Sequence, residues 1–155
     1  MEKIRKDRIA FIAHNHKKAQ MVSFVMKNYE RIKSLGLKII TTGSTGEHLE
    51  ESGVEVYKKY KSGKYGGDVE IGSRVCEGKV AMVFFFLDPL TSHAHGADIG
   101  ALMRVCNVEN IPIATNPKTA ELCLEGLQKE KEDTPELFCN TTYTNREPIV
   151  FTGPK

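Results

Sequence analysis

Short apolar runs rich in branched and aromatic residues alternate along this chain with amphipathic stretches of helical length. This alternation is typical of βα units, which build a parallel sheet with helices on both faces. The apolar runs predict five strands, at residues 8–14, 37–42, 54–58, 80–87 and 111–115. The run 80–87 is predicted to be the central strand, and Pro112 favours an edge position for the last one because proline cannot donate to a sheet ladder. We therefore expect a three-layer α/β fold around a five-stranded, mainly parallel sheet.

Helices are predicted between the strands, at residues 17–33, 46–52, 68–77, 97–106 and 118–129. In the first of these, Met21, Phe24, Val25 and Asn28 recur at helical spacing and should form the buried face. The charged run 128–136 ends the periodic pattern. The residues after this run are predicted to form an extended tail or a small added strand.

Composition indicates a globular protein with a single domain over residues 1–155. That length matches the commonest domain size, and 40% hydrophobic and 27% charged residues are ordinary proportions. A formal net charge of +2 leaves no large basic surplus to attract nucleic acid. No apolar run is long enough to cross a membrane, and no signal-type apolar region follows the charged N-terminus. We expect a cytoplasmic protein that binds neither nucleic acid nor membranes.

The four cysteines are widely spaced and contain no CxxC pair. This spacing fits neither a zinc site nor a small disulfide framework. We therefore expect reduced and mostly buried thiols at Cys76, Cys106, Cys123 and Cys139.

Two glycine-rich stretches follow predicted strands and contain groups that can donate to an anion. In "TTGSTG" (41–46), glycines let the backbone approach an oxyanion, to which hydroxyls and the N–H groups of a helix start can donate. An ordinary Ser/Thr helix cap is an equal alternative for this stretch. "SGKYGGD" (62–68) repeats the arrangement, although its aspartate could simply cap the next helix. Neither stretch has the spacing of a dinucleotide or P-loop motif.

Ionisable side chains crowd the segment after the longest apolar run. Asp88 follows that run directly, and His95 and Asp98 lie three residues apart where a helix should begin. His14 ends the first strand, with Lys18 one helical turn later. An anion cradle beside carboxylates and an imidazole suits proton abstraction next to a carbonyl, which requires a base and a donor to the enolate oxygen. Asp98 could also serve only to complement the helix dipole.

Two His-x-His pairs raise the alternative of a metal site. They are His14 with His16 and His93 with His95. Only alternate residues of an extended segment share a face, and the sequence provides no clear third ligand. We therefore expect no bound metal.

Five motifs resemble those of methylglyoxal synthase, in the same order, over about residues 8–124. They are "AHNHKK", "TTGSTG", "SGKYGGD", "FFLDPLTSHAHGAD" and "IPIATN". The resemblance implies a Rossmann-like, methylglyoxal synthase-like fold and conversion of dihydroxyacetone phosphate to methylglyoxal and inorganic phosphate, in a glycolytic bypass. It also implies that no metal or organic cofactor is used, that the protein is a homohexamer, and that phosphate is both product and candidate allosteric inhibitor.

The resemblance also implies roles for individual residues. Asp68 would be the catalytic base, His95 would polarise the substrate carbonyl, and Asp98 and Asp88 would be accompanying active-site carboxylates. Substrate contacts, most of them to the phosphate, are implied for His14, Lys18, Thr42, Gly43, Ser44, Thr45, Ser62 and Gly63.

Some positions depart from the pattern of that family. Asn15 stands where the family usually has an acid, and Ala94 and Ala97 replace prolines around His95. Because prolines restrict alternative loop states, the loop is expected to be less pre-organised. The alternative function is a non-catalytic phosphate- or nucleotide-sensing regulatory module of the same fold. Such a module needs only the anion cradle, so the retention of carboxylates and imidazole together favours an enzyme.

Overall fold

The computed structural model of this protein describes residues 6–135 and Phe138. Its five strands are β1 (Arg8–Ala13), β2 (Lys38–Thr41), β3 (Lys58–Lys59), β4 (Val80–Phe86) and β5 (Ile113–Ala114). Its five α-helices are α1 (Lys18–Ser34), α2 (Gly43–Glu51), α3 (Gly67–Cys76), α4 (Gly96–Val108) and α5 (Pro117–Asp133). Short 3-10 turns lie at Asn15–Lys17 and Gly63–Tyr65.

The strands form one sheet in the order β3-β2-β1-β4-β5, with every pair of neighbours parallel. This confirms the predicted parallel sheet and the edge position of β5. The prediction that the run 80–87 forms the central strand is wrong, because β1 is central and β4 lies between β1 and β5. Strands β1 and β4 are both buried on both faces, so an apolar run alone cannot distinguish their positions.

Helices cover both faces of the sheet, which confirms the three layers. Successive side chains of a strand point to opposite faces. Accordingly, Phe11 packs in a core with residues of α1, α2 and α5, whereas Ile12 packs in a second core with residues of α3 and α4. The predicted inner face of α1 is buried, including Asn28, whose amide donates to the carbonyl of Phe24 at 2.9 Å.

The third strand is shorter than predicted and begins later. Only Lys58 and Lys59 pair with β2. Val54 is buried in the core, yet its N–H donates to the carbonyl of Leu49 at the end of α2 and not to a sheet partner. Val54 is therefore buried and Val56 partly buried because this loop packs against the core, and not because the two residues form a strand. The last strand is also short, reduced to Ile113–Ala114.

Two helix ends differ from the predictions in ways that matter. The second helix begins at Gly43 and not at residue 46, so Ser44 and Thr45 lie in its first turn. The last helix continues through the charged run to Asp133, where the Thr134 hydroxyl donates to the Glu130 carbonyl at 3.0 Å. Lys and Glu are strong helix formers, so an exposed end needs no apolar periodicity to remain helical.

The described cysteines are free, but they are not mostly buried as predicted. Cys106 is buried, Cys123 is half-buried and Cys76 is exposed. The prediction for Cys139 and the predicted tail lie outside the described residues. Within residues 6–135, none of the helices combines the length and apolarity needed to cross a bilayer.

Candidate active site

A cavity of about 500 Å³ opens at the carboxyl ends of β1, β2 and β4. This edge of a parallel sheet is where ligands bind in open α/β folds. The predicted site residues that line the cavity are His14, Lys18, Thr42, Ser44, Ser62, Gly63, Asp68, Asp88 and His95. Three predicted site residues do not line the cavity. Gly43 and Thr45 lie in the first turn of α2, on either side of the lining residue Ser44, and Asp98 lies in the first turn of α4.

Asp68 lies in the first turn of α3 with 0% of its surface exposed. It does not cap the helix, because the capping position belongs to Gly66. Neither of its carboxylate oxygens has a hydrogen-bond partner among the described residues. Burial, assisted by the nearby charge of Asp98, raises the pKa of Asp68, while His95 and His93 lower it. The result is a buried carboxylate that has free lone pairs and is a stronger base than usual.

Two glycines make room for this carboxylate. A Cβ on Gly67 would lie 1.8 Å from the backbone carbonyl oxygen of Lys61, so only glycine lets the helix start so close to the preceding loop. A Cβ on Gly63 would lie 3.0 Å from His95 Nε2 and 3.2 Å from Asp68 Oδ1. Gly63 therefore leaves open the space directly in front of both functional groups.

His95 brings an imidazole to the same point. It precedes α4 directly, and its Nε2 lies 3.5 Å from Asp68 Oδ2. The two side chains come from different helix starts, 27 positions apart in sequence, on the same face of the sheet. A small molecule seated against Gly63 would contact both.

His14, at the end of β1, presents a neutral N–H to the cavity. Its Nδ1 accepts the backbone N–H of Asp88 at 2.9 Å, so in the neutral ring the proton sits on Nε2. That Nε2 is buried and has no hydrogen-bond partner in the described part of the chain. Burial, with smaller contributions from His93 and His95, lowers the pKa of His14 to about 4. The ring therefore remains uncharged at neutral pH.

Asp88 is buried like Asp68 but has all its partners. Its carboxylate accepts the Thr91 hydroxyl at 2.6 Å, the Leu90 N–H at 3.0 Å and the His16 Nδ1–H at 3.1 Å. The bonds from Thr91 and Leu90, followed by His16, lower the pKa of Asp88. Its lone pairs thus hold the loop that leads to His95.

The start of α2 is tied to β1 by hydroxyl groups. Thr45 Oγ1 accepts the N–H of Ala13 at 3.1 Å and a hydrogen bond from Thr42 Oγ1 at 3.2 Å. Thr42 occupies the capping position but makes no side-chain capping bond. The first N–H groups of a helix have no partner within it, so the backbone of Ser44 and Thr45 can donate to an anion.

The cavity is also lined by two ammonium groups, those of Lys18 and Lys64. Lys18 is buried in the cavity wall, and its Nζ donates to Asn15 Oδ1. Burial and the neighbouring Lys64 lower the pKa of Lys18, while Glu47 raises it. Because Asn15 is neutral, this contact leaves the charge of Lys18 available to an anion.

Comparison with known proteins places the chain among enzymes. A family model described as "MGS-like domain" matches residues 21–115. The chain is 47% identical over 121 residues to the methylglyoxal synthase of Borreliella burgdorferi (strain ZS7), an alignment that covers 78% of this chain and 94% of the relative. The chain belongs to the methylglyoxal synthase family. This confirms the predicted resemblance and the prediction of an enzyme.

Further members of the methylglyoxal synthase family agree in sequence and in structure. The methylglyoxal synthase of Clostridium botulinum (strain Eklund 17B / Type B) is 45% identical over 119 residues, which cover 76% of this chain and 98% of that relative. The crystal structure of methylglyoxal synthase from Elizabethkingia anophelis NUHP1 matches with a TM-score of 0.70 and 37% identity, covering 79% of this chain and 80% of that chain.

The fold brings together three histidines that could bind a metal ion, whereas the sequence provided no clear third ligand. His14, His93 and His95 offer ligand atoms that all lie within 4.8 Å of one another. The donor geometry nevertheless opposes a metal. His14 and His93 stack face to face, with ring centroids 3.5 Å apart and planes inclined by 23°, so their in-plane lone pairs do not converge. In addition, the bond from Asp88 to His14 Nδ1 leaves a proton and no lone pair on Nε2.

Several lining residues of this methylglyoxal synthase family member were missed by the motif comparison. They are Asn15, His16, Lys64, Thr91, Ser92 and His93. All lie in the loops that carry His14, Ser62 and Asp88, which are predicted site residues. The signal that could have found them is the loops themselves, since every residue of a short loop at a cavity mouth is a candidate lining residue.

Proposed function

We propose that this protein converts dihydroxyacetone phosphate to methylglyoxal and inorganic phosphate. A base removes a proton from the hydroxymethyl carbon, and the electron pair of that C–H bond forms an enediolate. The C–O bond to the phosphate then breaks, phosphate leaves with its electron pair, and the remaining enol rearranges to methylglyoxal. The observation that carries this proposal is the fully buried carboxylate of Asp68, which has no hydrogen-bond partner among the described residues and faces a cavity lined by Lys18 and Lys64.

Asp68 is proposed to be the base. Its raised pKa increases its affinity for the substrate proton, and the space in front of its oxygens is kept open by Gly63. Burial without a hydrogen-bond partner is unfavourable for a carboxylate by several kcal/mol unless it is compensated. Groups held in this unfavourable state are typical of active sites, where the reaction uses them.

His95 and His14 are proposed to donate to the developing enediolate. His95 Nε2 lies 3.5 Å from the Asp68 carboxylate, so the atom that loses a proton and the oxygen that gains charge can be adjacent. His14 contributes a neutral Nε2–H that has no hydrogen-bond partner in the part of the chain that the structure describes. Donors placed in advance at a developing oxyanion usually contribute about 3–4 kcal/mol each to catalysis.

Lys18, Ser44 and Ser62 are proposed to hold the phosphate, together with the first turn of α2. Ser62 has a buried hydroxyl without a partner among residues 6–135 and Phe138, and it lines the cavity beside Gly63. Contacts to the phosphate can hold the C–O bond out of the enediolate plane. In that orientation the bond overlaps the π system, which favours elimination over simple isomerisation.

The proposed phosphate site is held in place by three further residues at the start of α2, which are Thr42, Gly43 and Thr45. Thr45 is bonded to β1, and the Gly43 N–H points to the Lys61 carbonyl at 3.4 Å. Asp88 is proposed to organise the loop before His95, and Asp98 to raise the basicity of Asp68.

A regulatory phosphate sensor of the same fold is the competing function. Such a module requires the helix start and the lysine, but a carboxylate beside them repels the phosphate that it must bind. A buried carboxylate such as Asp68 is therefore expected in an enzyme that needs a base, and it is not expected in a module that only binds phosphate.

The homohexamer and the cytoplasmic location are further proposals that rest on family membership. Exposed apolar side chains support subunit contacts near the site. Tyr65, Val69 and Leu90 are 71%, 51% and 94% exposed and lie in or beside the loops that form the cavity. Regulation by phosphate is proposed on the same basis.

The test is to incubate the purified protein with dihydroxyacetone phosphate and to measure methylglyoxal and phosphate separately. We expect both products in equal amounts, with the same rate in the presence of a chelator. Binding of phosphate without formation of methylglyoxal would contradict the proposal and would favour the sensor.

A further inference from the structure

His93 is a further imidazole in the cavity wall, and the proposed reaction gives it no role. It lies in the loop between β4 and α4 and lines the cavity. Its ring stacks on His14 with centroids 3.5 Å apart and planes inclined by 23°. A histidine stacked this closely on a functional imidazole affects where that imidazole points.

The His14 ring has four neighbours among the described residues. The backbone N–H of Asp88 fixes Nδ1 at 2.9 Å, and the ring of Phe85 contacts it edge-on, with centroids 5.2 Å apart and planes at 72°. His93 covers a face of the ring. The ring of His95 also lies edge-on to His14, with centroids 5.8 Å apart and planes at 76°, so the stack on His93 is the closest of these ring contacts.

The backbone transmits this contact to His95. The Gly96 N–H donates to the carbonyl of His93 at 3.2 Å, which closes a turn around His95 at the start of α4. The His93 and His95 rings lie 5.6 Å apart. The stack therefore connects the end of β1, which carries His14, to the turn that carries His95.

We propose that His93 is a positioning residue whose stack on His14 fixes the direction of the His14 Nε2–H and holds His95 against Asp68. The inference rests on the proposed function, because these are the groups assigned to the enediolate. Contacts between aromatic rings stabilise a side-chain orientation beyond the effect of the area that they bury. A displacement of about 1 Å in such groups can lower turnover about 100-fold.

The test compares His93→Ala, which removes the stack, with His93→Phe, which keeps an aromatic face but has no ring nitrogens. We expect His93→Ala to lower kcat about 10- to 100-fold with a much smaller change in KM, and His93→Phe to recover most of that loss. Ala94→Ser is the matched control, because Ala94 lies in the same loop, is exposed and does not line the cavity. It should retain the wild-type kcat.

Nitrogen-15 NMR of the histidine rings provides a readout that does not depend on turnover. We expect the His14 ring to show a single tautomer with the proton on Nε2 in the wild type and in His93→Phe, and a mixture in His93→Ala. His93→Asn, which is polar but not aromatic, should behave like His93→Ala and replaces it if the alanine variant does not fold.

Two results would overturn the role of His93. The first is a His93→Ala or His93→Asn protein with wild-type kcat and an unchanged His14 tautomer. The second is a His93→Phe protein that is as impaired as His93→Ala, because a ring nitrogen and not the stack would then be required. If the wild type forms no methylglyoxal, the proposed function fails, while the NMR comparison still decides whether the stack orients His14.

Discussion

Asp68 and Asp88 are both buried in the wall of the same cavity, with 0% and 8% of their surfaces exposed. Asp68 has no hydrogen-bond partner among the described residues, and burial raises its pKa. Asp88 accepts hydrogen bonds from Thr91, Leu90 and His16, and these bonds lower its pKa. Burial alone therefore does not decide the state of a carboxylate, because its partners can reverse the direction of the shift.

The difference arises from the local backbone at the two positions. Asp88 is followed by a turn whose Leu90 N–H and Thr91 hydroxyl fold back onto its carboxylate. Asp68 lies in the first turn of α3 and faces Gly63, which has no side chain that could donate to the carboxylate. One carboxylate consequently accepts hydrogen bonds from a loop, while the other has no hydrogen-bond partner among the described residues, as its proposed role as a base requires.

Replacement of the free carboxylate should have the largest effect. Asp68→Asn keeps the shape of the side chain but removes the base, so we expect kcat to fall by about 10²- to 10⁴-fold while phosphate still binds. The measurement is methylglyoxal formation together with calorimetric titration of phosphate. Glu70→Gln, on the same helix but outside the lining residues, is the control and should retain activity. Undiminished turnover in Asp68→Asn would assign the base elsewhere.

Replacing Asp68 and Asp88 by asparagine should change the melting temperature in opposite directions. The raised pKa of Asp68 means that its ionised form destabilises the fold, so this destabilisation grows as pH rises through the folded-state pKa. Asp68→Asn should therefore raise Tm at pH 7, with the gain vanishing below the ordinary value of 3.8. The measurement is Tm as a function of pH.

For Asp88 the sign is reversed. Its lowered pKa means that the ionised form stabilises the fold above the ordinary value of 3.8, and that this stabilisation is lost as pH falls through the folded-state pKa. Asp88→Asn should accordingly lower Tm at pH 7, with a smaller loss in acid. Shifts of equal sign at the two positions would show that their hydrogen-bond partners do not distinguish them.

A smaller effect should follow from adding a third carboxylate to the cavity. Asn15→Asp places a negative charge against Lys18 Nζ, which already donates to Asn15. Since that charge opposes an incoming phosphate, we expect the affinity for phosphate to fall about threefold to tenfold. Calorimetric titration measures it, and Asn107→Asp, which adds the same charge at an exposed position on α4, is the control. Equal affinities in the two variants would contradict the role given to Lys18.

Sequence patterns predicted the βα order well because burial on both sheet faces produces apolar runs such as Val80–Phe86. They failed at Val54, whose burial comes from a loop packed against helices, and at the end of α5, where exposed charged residues continue the helix. Periodicity reports which side chains are buried, but not which backbone partner each residue has.

The sequence by itself determined the family, the order of strands and helices, and the loops that meet at one edge of the sheet. Parallel strands place their carboxyl ends together whatever the details of packing. Only the tertiary structure decided that Asp68 has no hydrogen-bond partner among the described residues, that Asp88 accepts three hydrogen bonds and that His93 stacks on His14. Those states depend on contacts between residues far apart in the chain, and such contacts form only when the loops are packed in three dimensions.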